Sequence, residues 1–220
     1  MSTRLDYDRL FLGLATLLGR ESALSAKEIR RHLDLSQTSF LRLLGERSDR
    51  ILVSGRARTT RYSLRRTIEG VVVPISVYLI DERGMSSLFG RLHPIATRAF
   101  FFERADDNEG EFYDDLPYFL DDLRPSGFLG KLISQFHAEL RLPKNPEEWS
   151  TNQALTYLCR YGTNLVGNFV LGQEAMQLLL QGAIERDLRT SPFSRRDAYL
   201  RCALDILREP HQWLVPRARV

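Results

Sequence analysis

Cysteine and histidine are scarce in this chain of 220 residues, which has two cysteines and four histidines. Cys159 and Cys202 lie far apart, and the histidines are scattered along the chain. This spacing argues against a clustered metal site and against a disulfide framework. A reducing compartment fits best, so we expect a soluble, cytoplasmic protein.

Long hydrophobic runs are also missing. The apolar stretch RLFLGLATLLG near the N-terminus follows Asp6 and Asp8, is too short to span a bilayer, and precedes no small-residue cleavage site. We therefore expect no membrane association. The stretch is better explained as an amphipathic helix, whose inward residues would be Leu10, Leu14, Leu17 and Leu18.

Acidic residues are absent between Arg50 and Arg66, a segment that contains six arginines. Residues 1–70 hold 14 Lys and Arg against 8 Asp and Glu, whereas the remainder holds 17 against 20. The mild net charge of +3 therefore hides a basic N-terminal third. Such asymmetry favours a nucleic-acid partner for this part of the chain.

Two short helices are indicated by their capping residues. Ser25 and Glu28 form a capping box, so a helix should begin at Ala26. Ser36 is the next N-cap, and the helix that it opens should end at Gly45. Ile29, Leu33, Phe40, Leu43 and Leu44 are the expected buried residues of this pair.

A β-hairpin is predicted after the two helices, with strands at 51–53 and 60–64 joined by 55–59. Helix, helix and basic hairpin is the order of a winged helix-turn-helix, predicted over residues 1–70. An alternative is a charged hairpin edge that only discourages aggregation. The expected DNA-binding residues are Ser36, Gln37, Thr38, Ser39, Arg42, Arg56, Arg58 and Arg61.

Beyond Gly70 the pattern changes to β-prone segments. Strands are predicted at 71–80, at 86–92 with Leu88 and Leu92 inward, and at 98–104. Phe100, Phe101 and Phe102 must point to both faces of the sheet, so at least one needs cover from a helix or a partner. The fold class is therefore α+β.

Helices are predicted for the following segment. Leu116, Phe119, Leu120 and Leu123 form an apolar stripe behind Pro117. Further helices are expected at 128–140, 151–161, 173–187 and 194–207, with a short β-like stretch at 164–171. The final helix and its tail either cap the domain or bind a partner through Trp213.

The strings FYDDLPYFLDDLRPSGFLGKLI and LTYLCRYGTNLVGNFVLG resemble the N-terminal half of HipA-like serine/threonine kinase toxins. The likeness covers about residues 25–185 and is closest to the subgroup in which a winged helix-turn-helix precedes the HipA N-terminal subdomain. It implies a β-sheet with packed helices over residues 71–188. Residues 189–220 depart from the family, in which a linker would lead into the kinase domain, and are predicted from their own residues to form a C-terminal helix and tail. In that family the kinase chemistry lies downstream.

No set of kinase motifs is present in this sequence. Arg196-Asp197 has no preceding histidine, and Cys202 stands where a catalytic-loop asparagine would fall. The acidic segment 106–111 lacks the alternating oxygen ligands of a calcium loop. We therefore expect no catalytic residues, no metal and no cofactor, and no enzymatic activity from this chain alone.

The functional hypothesis is an antitoxin-like regulatory subunit that binds operator DNA and docks on a separately encoded HipA-like kinase. The expected partner-binding residues are Phe101, Phe119, Leu120, Arg124, Phe128 and Trp213. Two alternatives remain: the N-terminal half of a split or truncated HipA-like kinase toxin, and a plain winged-helix repressor that merely dimerises. A homodimer is compatible with each of them.

Overall fold

The computed structural model describes residues 2–106, 110–163 and 167–189 of the chain. It is a mixed α+β structure, as expected. The predicted helix at 194–207 and the tail with Trp213 lie outside the described residues.

The helices are α1 (Ser2–Arg20), α2 (Ala26–Leu33), α3 (Gln37–Glu46), α4 (Tyr118–Asp121), α5 (Gly127–Phe136), α6 (Thr151–Tyr161) and α7 (Gln173–Arg189). The strands are β1 (Ile51–Ser54), β2 (Arg61–Leu64), β3 (Ile75–Ile80), β4 (Ser86–Pro94), β5 (Phe100–Arg104), β6 (Gly110–Tyr113) and β7 (Phe169–Leu171).

Residues 1–176 form one compact unit, and the continuation of α7 belongs to a second unit. Among the described residues, no helix has the length and apolar content needed to cross a membrane.

The N-terminal helices begin where their caps predict. The Ser25 side chain accepts a hydrogen bond from the Glu28 backbone N–H, and the Glu28 carboxylate accepts from Ser25 N at 2.8 Å. Ser36 caps α3 by accepting from Ser39 N at 3.1 Å. Both capping predictions are confirmed, although α3 runs one residue past Gly45.

A core of aliphatic side chains holds α1, α2 and α3 together. Leu14, Leu18, Ile29, Phe40 and Leu43 are all essentially inaccessible to solvent. Burial of each such side chain contributes on the order of 1.5–3 kcal/mol. The packing confirms the amphipathic reading of the first helix.

The hairpin of β1 and β2 gains a third partner from the segment between α1 and α2. Leu24 and Tyr62 exchange backbone hydrogen bonds of 3.1 and 2.8 Å. The Tyr62 ring also meets Phe40 of α3 edge-on, with ring centroids 5.2 Å apart. The hairpin is therefore attached to the helices through backbone and side chains alike.

A five-stranded antiparallel sheet follows, in the order β6-β5-β4-β3-β7. Its first strand begins at Ile75 rather than at Val71. Pro74 has no N–H to donate to a sheet ladder, so the residues before it stay outside the strand. The predicted strand at 71–80 is thus shorter at its start.

A β-bulge between β3 and β4 overturns one prediction of side-chain direction. The register shifts after Val77, so that Val77 pairs with Gly90 and Tyr78 with Leu88. Phe89 is the extra residue and packs on the core, while Leu88 is 37% exposed. The prediction that Leu88 faces inward was wrong because a bulge interrupts the alternation of faces.

The three phenylalanines of β5 divide between the two faces of the sheet. Phe100 and Phe102 join the large core formed with α4, α6 and the loops around them. Phe101 lies on the other face, against Leu52 and Ile95. All three side chains are buried, and the cover for Phe101 includes Leu52 of the N-terminal hairpin and Phe112 of β6, whose ring centroid is 4.8 Å away.

The helical segment covers one face of the sheet with shorter helices than expected. Leu116, Leu120 and Leu123 are buried as predicted, but α4 itself is a single turn. Pro125 follows closely and stops further helix, since a proline disfavours helical backbone before it. Helix α5 ends at Phe136, and a separate 3₁₀ turn covers Ala138–Leu140.

Backbone pairing joins the hairpin to the sheet. Arg66 N donates to Pro94 O at 3.0 Å, and Ala96 N donates to Leu64 O at 2.8 Å. Leu52 of β1 adds an apolar contact to Ile95 on the same side. We call this junction of residues 64–66 with residues 94–96 the seam.

Candidate functional site

The exposed side of α3 carries most of the residues that the sequence predicted to read DNA. Ser36 and Ser39 are engaged with each other through the N-cap, and their hydroxyl oxygens are 2.9 Å apart. Gln37 accepts a hydrogen bond of 2.7 Å from Arg30 Nη1. The amide of Gln37 is therefore positioned by α2, and Thr38 beside it is exposed.

Arg42 lies farther along α3 and is held by the first helix. Its Nη1 donates to the Tyr7 hydroxyl at 3.4 Å. This hydrogen bond raises the pKa of the Arg42 guanidinium above its usual value. The side chain is a permanent cation on an open surface.

The hairpin tip presents the other predicted residues. Arg56, which directly precedes the 3₁₀ turn Ala57–Thr59, and Arg58 within that turn are both exposed, and Arg61 is half-buried. Gly55 has a φ of 74° and approaches Thr59 O so closely that a Cβ would lie 2.6 Å from it. Only glycine fits at the start of this turn, and the turn presents Arg56 and Arg58 to solvent.

Two further arginines of the basic run point elsewhere. Arg65 Nε donates to Ile51 O at 3.3 Å, and Arg66 Nε donates to Ile95 O at 3.1 Å. Both are therefore part of the seam and not of the hairpin tip. Sequence reasoning counted them with the basic run because the contacts that separate them are non-local.

The predicted partner-binding residues do not form an exposed patch. Phe101 and Leu120 are 5% and 0% exposed, so the expected open phenylalanine strand is absent from this sheet. Arg124 is half-buried, forms an ion pair with Asp121, and donates to Thr151 Oγ1 at 2.9 Å. The side chain of Phe128 and all of Trp213 lie outside the described residues.

Phe119, the remaining member of that set, lies in an aromatic cleft of about 640 Å³. Its ring centroid is 5.3 Å from that of Phe102, 5.6 Å from Phe169 and 6.0 Å from Phe89. Tyr118 lies at the margin with 75% of its surface exposed. The remaining lining residues are Arg104, Gly110, Glu111 and Tyr113.

The titratable groups Tyr113 and Cys159 have pKa values that keep both side chains protonated at neutral pH. Burial and a hydrogen bond to Glu111 raise the pKa of Tyr113 to about 12. Burial likewise raises the pKa of the Cys159 thiol to about 12, which keeps it protonated and a poor nucleophile. Within the described ranges, no three His, Cys, Asp or Glu side chains are grouped so that they could hold a metal ion.

Comparison with known proteins gives matches for the part of the chain that contains the five-stranded sheet. Residues 71–180 match the family model described as "YjjJ-like toxin, middle domain". The chain is 32% identical over 150 residues to Toxin YjjJ of Escherichia coli (strain K12), which covers 68% of this chain and 33% of that protein. The chain thus spans about a third of the length of the curated relative that it matches. No solved structure matches.

These matches correct the functional hypothesis. They support a toxin family related to HipA-like kinases, which is the coarser part of the predicted resemblance. The main hypothesis, an antitoxin-like regulator that binds operator DNA, was wrong because both matches are to toxins. The alternative, a part of a HipA-like toxin, agrees better with them.

Proposed function

Since the chain belongs to the family of YjjJ-like toxins, we propose that it supplies the N-terminal and middle regions of a HipA-related kinase toxin. In this proposal the chain positions a kinase segment and does not itself transfer phosphate. Phosphoryl transfer needs a phosphate-covering loop, a lysine, a catalytic aspartate and a metal-binding aspartate, and the sequence offers no such set.

The observation that carries the proposal is where the family match falls. Residues 71–180 contain all five strands of the sheet and the helices α4 to α6 that cover it. The matched segment therefore has its own core, centred on Ile75, Phe100 and Leu155. A middle domain that supplies nearly all of its own core can act as a platform for neighbouring domains.

Complementation in trans tests this proposal. The full chain is expressed together with the part of Toxin YjjJ that it does not match, and growth and transfer of the γ-phosphate of ATP are measured. We expect little transfer from either piece alone and transfer when both are present. Inhibition by the chain, or transfer by the chain alone, would contradict the proposal.

A matched pair of variants makes the test specific. The Leu155→Asp variant, which places a carboxylate in the buried core, should abolish complementation. The Val72→Asp variant introduces the same side chain at a position that is 76% exposed and should complement like the parent. If Leu155→Asp complements as well as Val72→Asp does, the folded middle region is not needed for complementation.

A second proposal concerns residues 1–66, which we propose to be a winged helix-turn-helix that contacts double-stranded DNA within the toxin. The pairing of Leu24 with Tyr62 supports it. This pairing completes the order helix, strand, two helices and hairpin, and the ring contact of Tyr62 with Phe40 joins β2 of the hairpin to α3. Contact would come from the exposed side chains Thr38, Arg56 and Arg58, with Gln37, Arg42 and Arg61 beside them.

A change in salt dependence tests the DNA proposal. Replacing Arg56, Arg58 and Arg61 by alanine should weaken binding to every duplex and reduce the salt slope by up to about 0.9 for each lost phosphate contact. The control replaces three exposed arginines of the sheet region, Arg83, Arg91 and Arg98, and thus changes the net charge equally. Equal loss from both triple variants would contradict a specific role for the tip.

A further inference from the structure

A small basic cleft lies at the seam, apart from the aromatic cleft and from the hairpin tip. It has a volume of about 270 Å³. Its polar lining is contributed by Ser48, Asp49, Arg65, Arg66, Thr67 and His93. Arg50 also lines the cleft, so three arginines face a single carboxylate among the lining residues. The net charge of the lining is positive.

Arg65 is held in place by two acceptors that carry no charge. Its Nε donates to Ile51 O at 3.3 Å, and its Nη1 lies 3.5 Å from His93 Nδ1. On its other side, His93 Nε2 lies 3.2 Å from the Glu103 carboxylate. Burial lowers the pKa of His93, so the neutral ring donates from Nε2 to Glu103 and accepts from Arg65 at Nδ1.

Arg66 is held in a similar way. Its Nε donates to Ile95 O at 3.1 Å, its Nη1 donates to Asn152 Oδ1 at 2.6 Å, and its guanidinium lies 5.3 Å from the Phe100 ring centroid. In the part of the chain that the structure describes, neither Arg65 nor Arg66 forms an ion pair with a carboxylate. Each guanidinium keeps Nη2 donors that these bonds do not use.

We propose that this cleft binds a phosphate group through Arg65 and Arg66. Half-buried guanidinium groups with fixed orientation and uncharged hydrogen-bond partners favour a bidentate anion, and phosphate matches the planar fork of arginine. Asp115 acts on Arg66 electrostatically but forms no ion pair with it. Ser48 and Thr67 add hydroxyl donors beside them. The volume lies just below the range of about 300–1,000 Å³ that is typical of drug-sized ligands, so the cleft suits a phosphoryl group better than a whole nucleotide.

Titration calorimetry of the full chain tests the proposal with three probes: inorganic phosphate, adenosine 5′-monophosphate and a short DNA duplex. We expect the Arg65→Gln variant to bind about tenfold more weakly or worse, because a charge-assisted hydrogen bond is lost. The control, Arg83→Gln, removes the same charge from an exposed position in the turn between β3 and β4, outside the cleft, and should bind like the parent.

The three probes distinguish the source of the phosphate. Binding of inorganic phosphate or the mononucleotide that is lost in Arg65→Gln supports a site for a free phosphate or a monoester. Binding of the duplex alone, lost in the same variant, supports a site for the nucleic-acid backbone. The absence of binding by all three probes, or equal binding by Arg65→Gln and the parent, would overturn the proposal.

A measurement on the unaltered chain covers the case in which Arg65→Gln does not fold. Phenylglyoxal modifies accessible arginines, and mass spectrometry locates the modified positions. Phosphate should protect Arg65 and Arg66 and leave the exposed Arg58 and Arg91 reactive. Uniform reactivity with and without phosphate would overturn the proposal. This test does not depend on toxin activity.

Discussion

The N-terminal region, residues 2–66, and the sheet region, residues 75–171, bury their cores in different ways. The first packs mostly aliphatic side chains between three helices and a hairpin. The second packs aromatic and aliphatic side chains on one face of the sheet, and on the other face Ile95, Ala99 and Phe101 form a small buried cluster with Leu52 of the first region. The sheet region therefore relies on its neighbour for cover, and this dependence runs through the seam.

The largest effect on this comparison should come from the sheet core. The Phe100→Ala variant removes a ring with no exposed surface and should lower the free energy of unfolding by about 3–5 kcal/mol. Phe112→Ala, on edge strand β6 where the ring is 36% exposed, is the control and should cost clearly less. Urea denaturation measures both, and equal losses would show that the sheet core does not govern stability.

The next largest effect should come from the face of the sheet on which Phe101 clusters with Leu52 of the N-terminal region. Leu52→Ala should lower the free energy of unfolding by about 2–5 kcal/mol, because its side chain packs on Ile95, Ala99 and Phe101. Val53, the adjacent residue, is 54% exposed, and Val53→Ala should stay within about 0.5 kcal/mol of the parent. If Leu52→Ala also behaves like the parent, the two regions do not stabilise each other through this contact.

Smaller and similar effects are expected from the helix caps of the two regions. Ser25 and Ser150 each form a capping box, with Glu28 and Gln153 respectively. Replacing either serine by alanine should cost about 1 kcal/mol, because a backbone N–H loses its acceptor. Thr38→Ala, at an exposed position of α3, is the control. Thermal unfolding of the three variants would contradict this expectation if the control lost as much as the others.

The smallest effect should be a pH dependence at the seam. Burial lowers the pKa of His93 in the folded chain below the ordinary value of about 6.5 that it has when unfolded. The unfolded chain therefore binds more protons in this window, so stability should fall as the pH drops below about 6.5. His93→Gln should flatten this slope in urea titrations, and an unchanged slope would assign it to other groups.

Much of the N-terminal region was predictable because its signals are local in the sequence. Ser25, Glu28 and Ser36 act within a few residues of themselves, so the caps and the starts of α2 and α3 follow from the local order of residues. The hairpin was predicted for the same reason, with strand ends displaced by one residue. The pairing of Leu24 with Tyr62 was not predictable, because it joins segments 38 positions apart that carry no shared motif.

The sheet region was less predictable because its decisive features are non-local. The bulge that turns Leu88 outward depends on the register with Val77 and Tyr78. Strand β6 was missed because its short sequence, GEFY, continues an acidic segment and gains its partners only from β5. At least one of the three phenylalanines was expected to need cover from a helix or a partner, and for Phe101 part of that cover comes from Leu52 of the N-terminal hairpin.

Of the candidate sites, the hairpin tip was predictable from the sequence and the seam cleft was not. The exposed arginines of the hairpin tip were found from the charge run, and their role in binding DNA stays a prediction. The seam cleft was not found, since Arg65 and Arg66 appear in sequence as more of the same basic run. Their separate role depends on His93, Ile95 and Asn152, which only the folded chain places beside them.

The seam has a mechanical consequence. Because residues 64–66 pair with residues 94–96 by backbone hydrogen bonds, the two regions cannot swivel about a loose hinge without breaking those bonds. A macromolecule that binds the hairpin tip would thereby also fix the orientation of the sheet relative to itself. Residues 1–176 form one compact unit, so a force applied at the tip would be transmitted through the seam to the sheet.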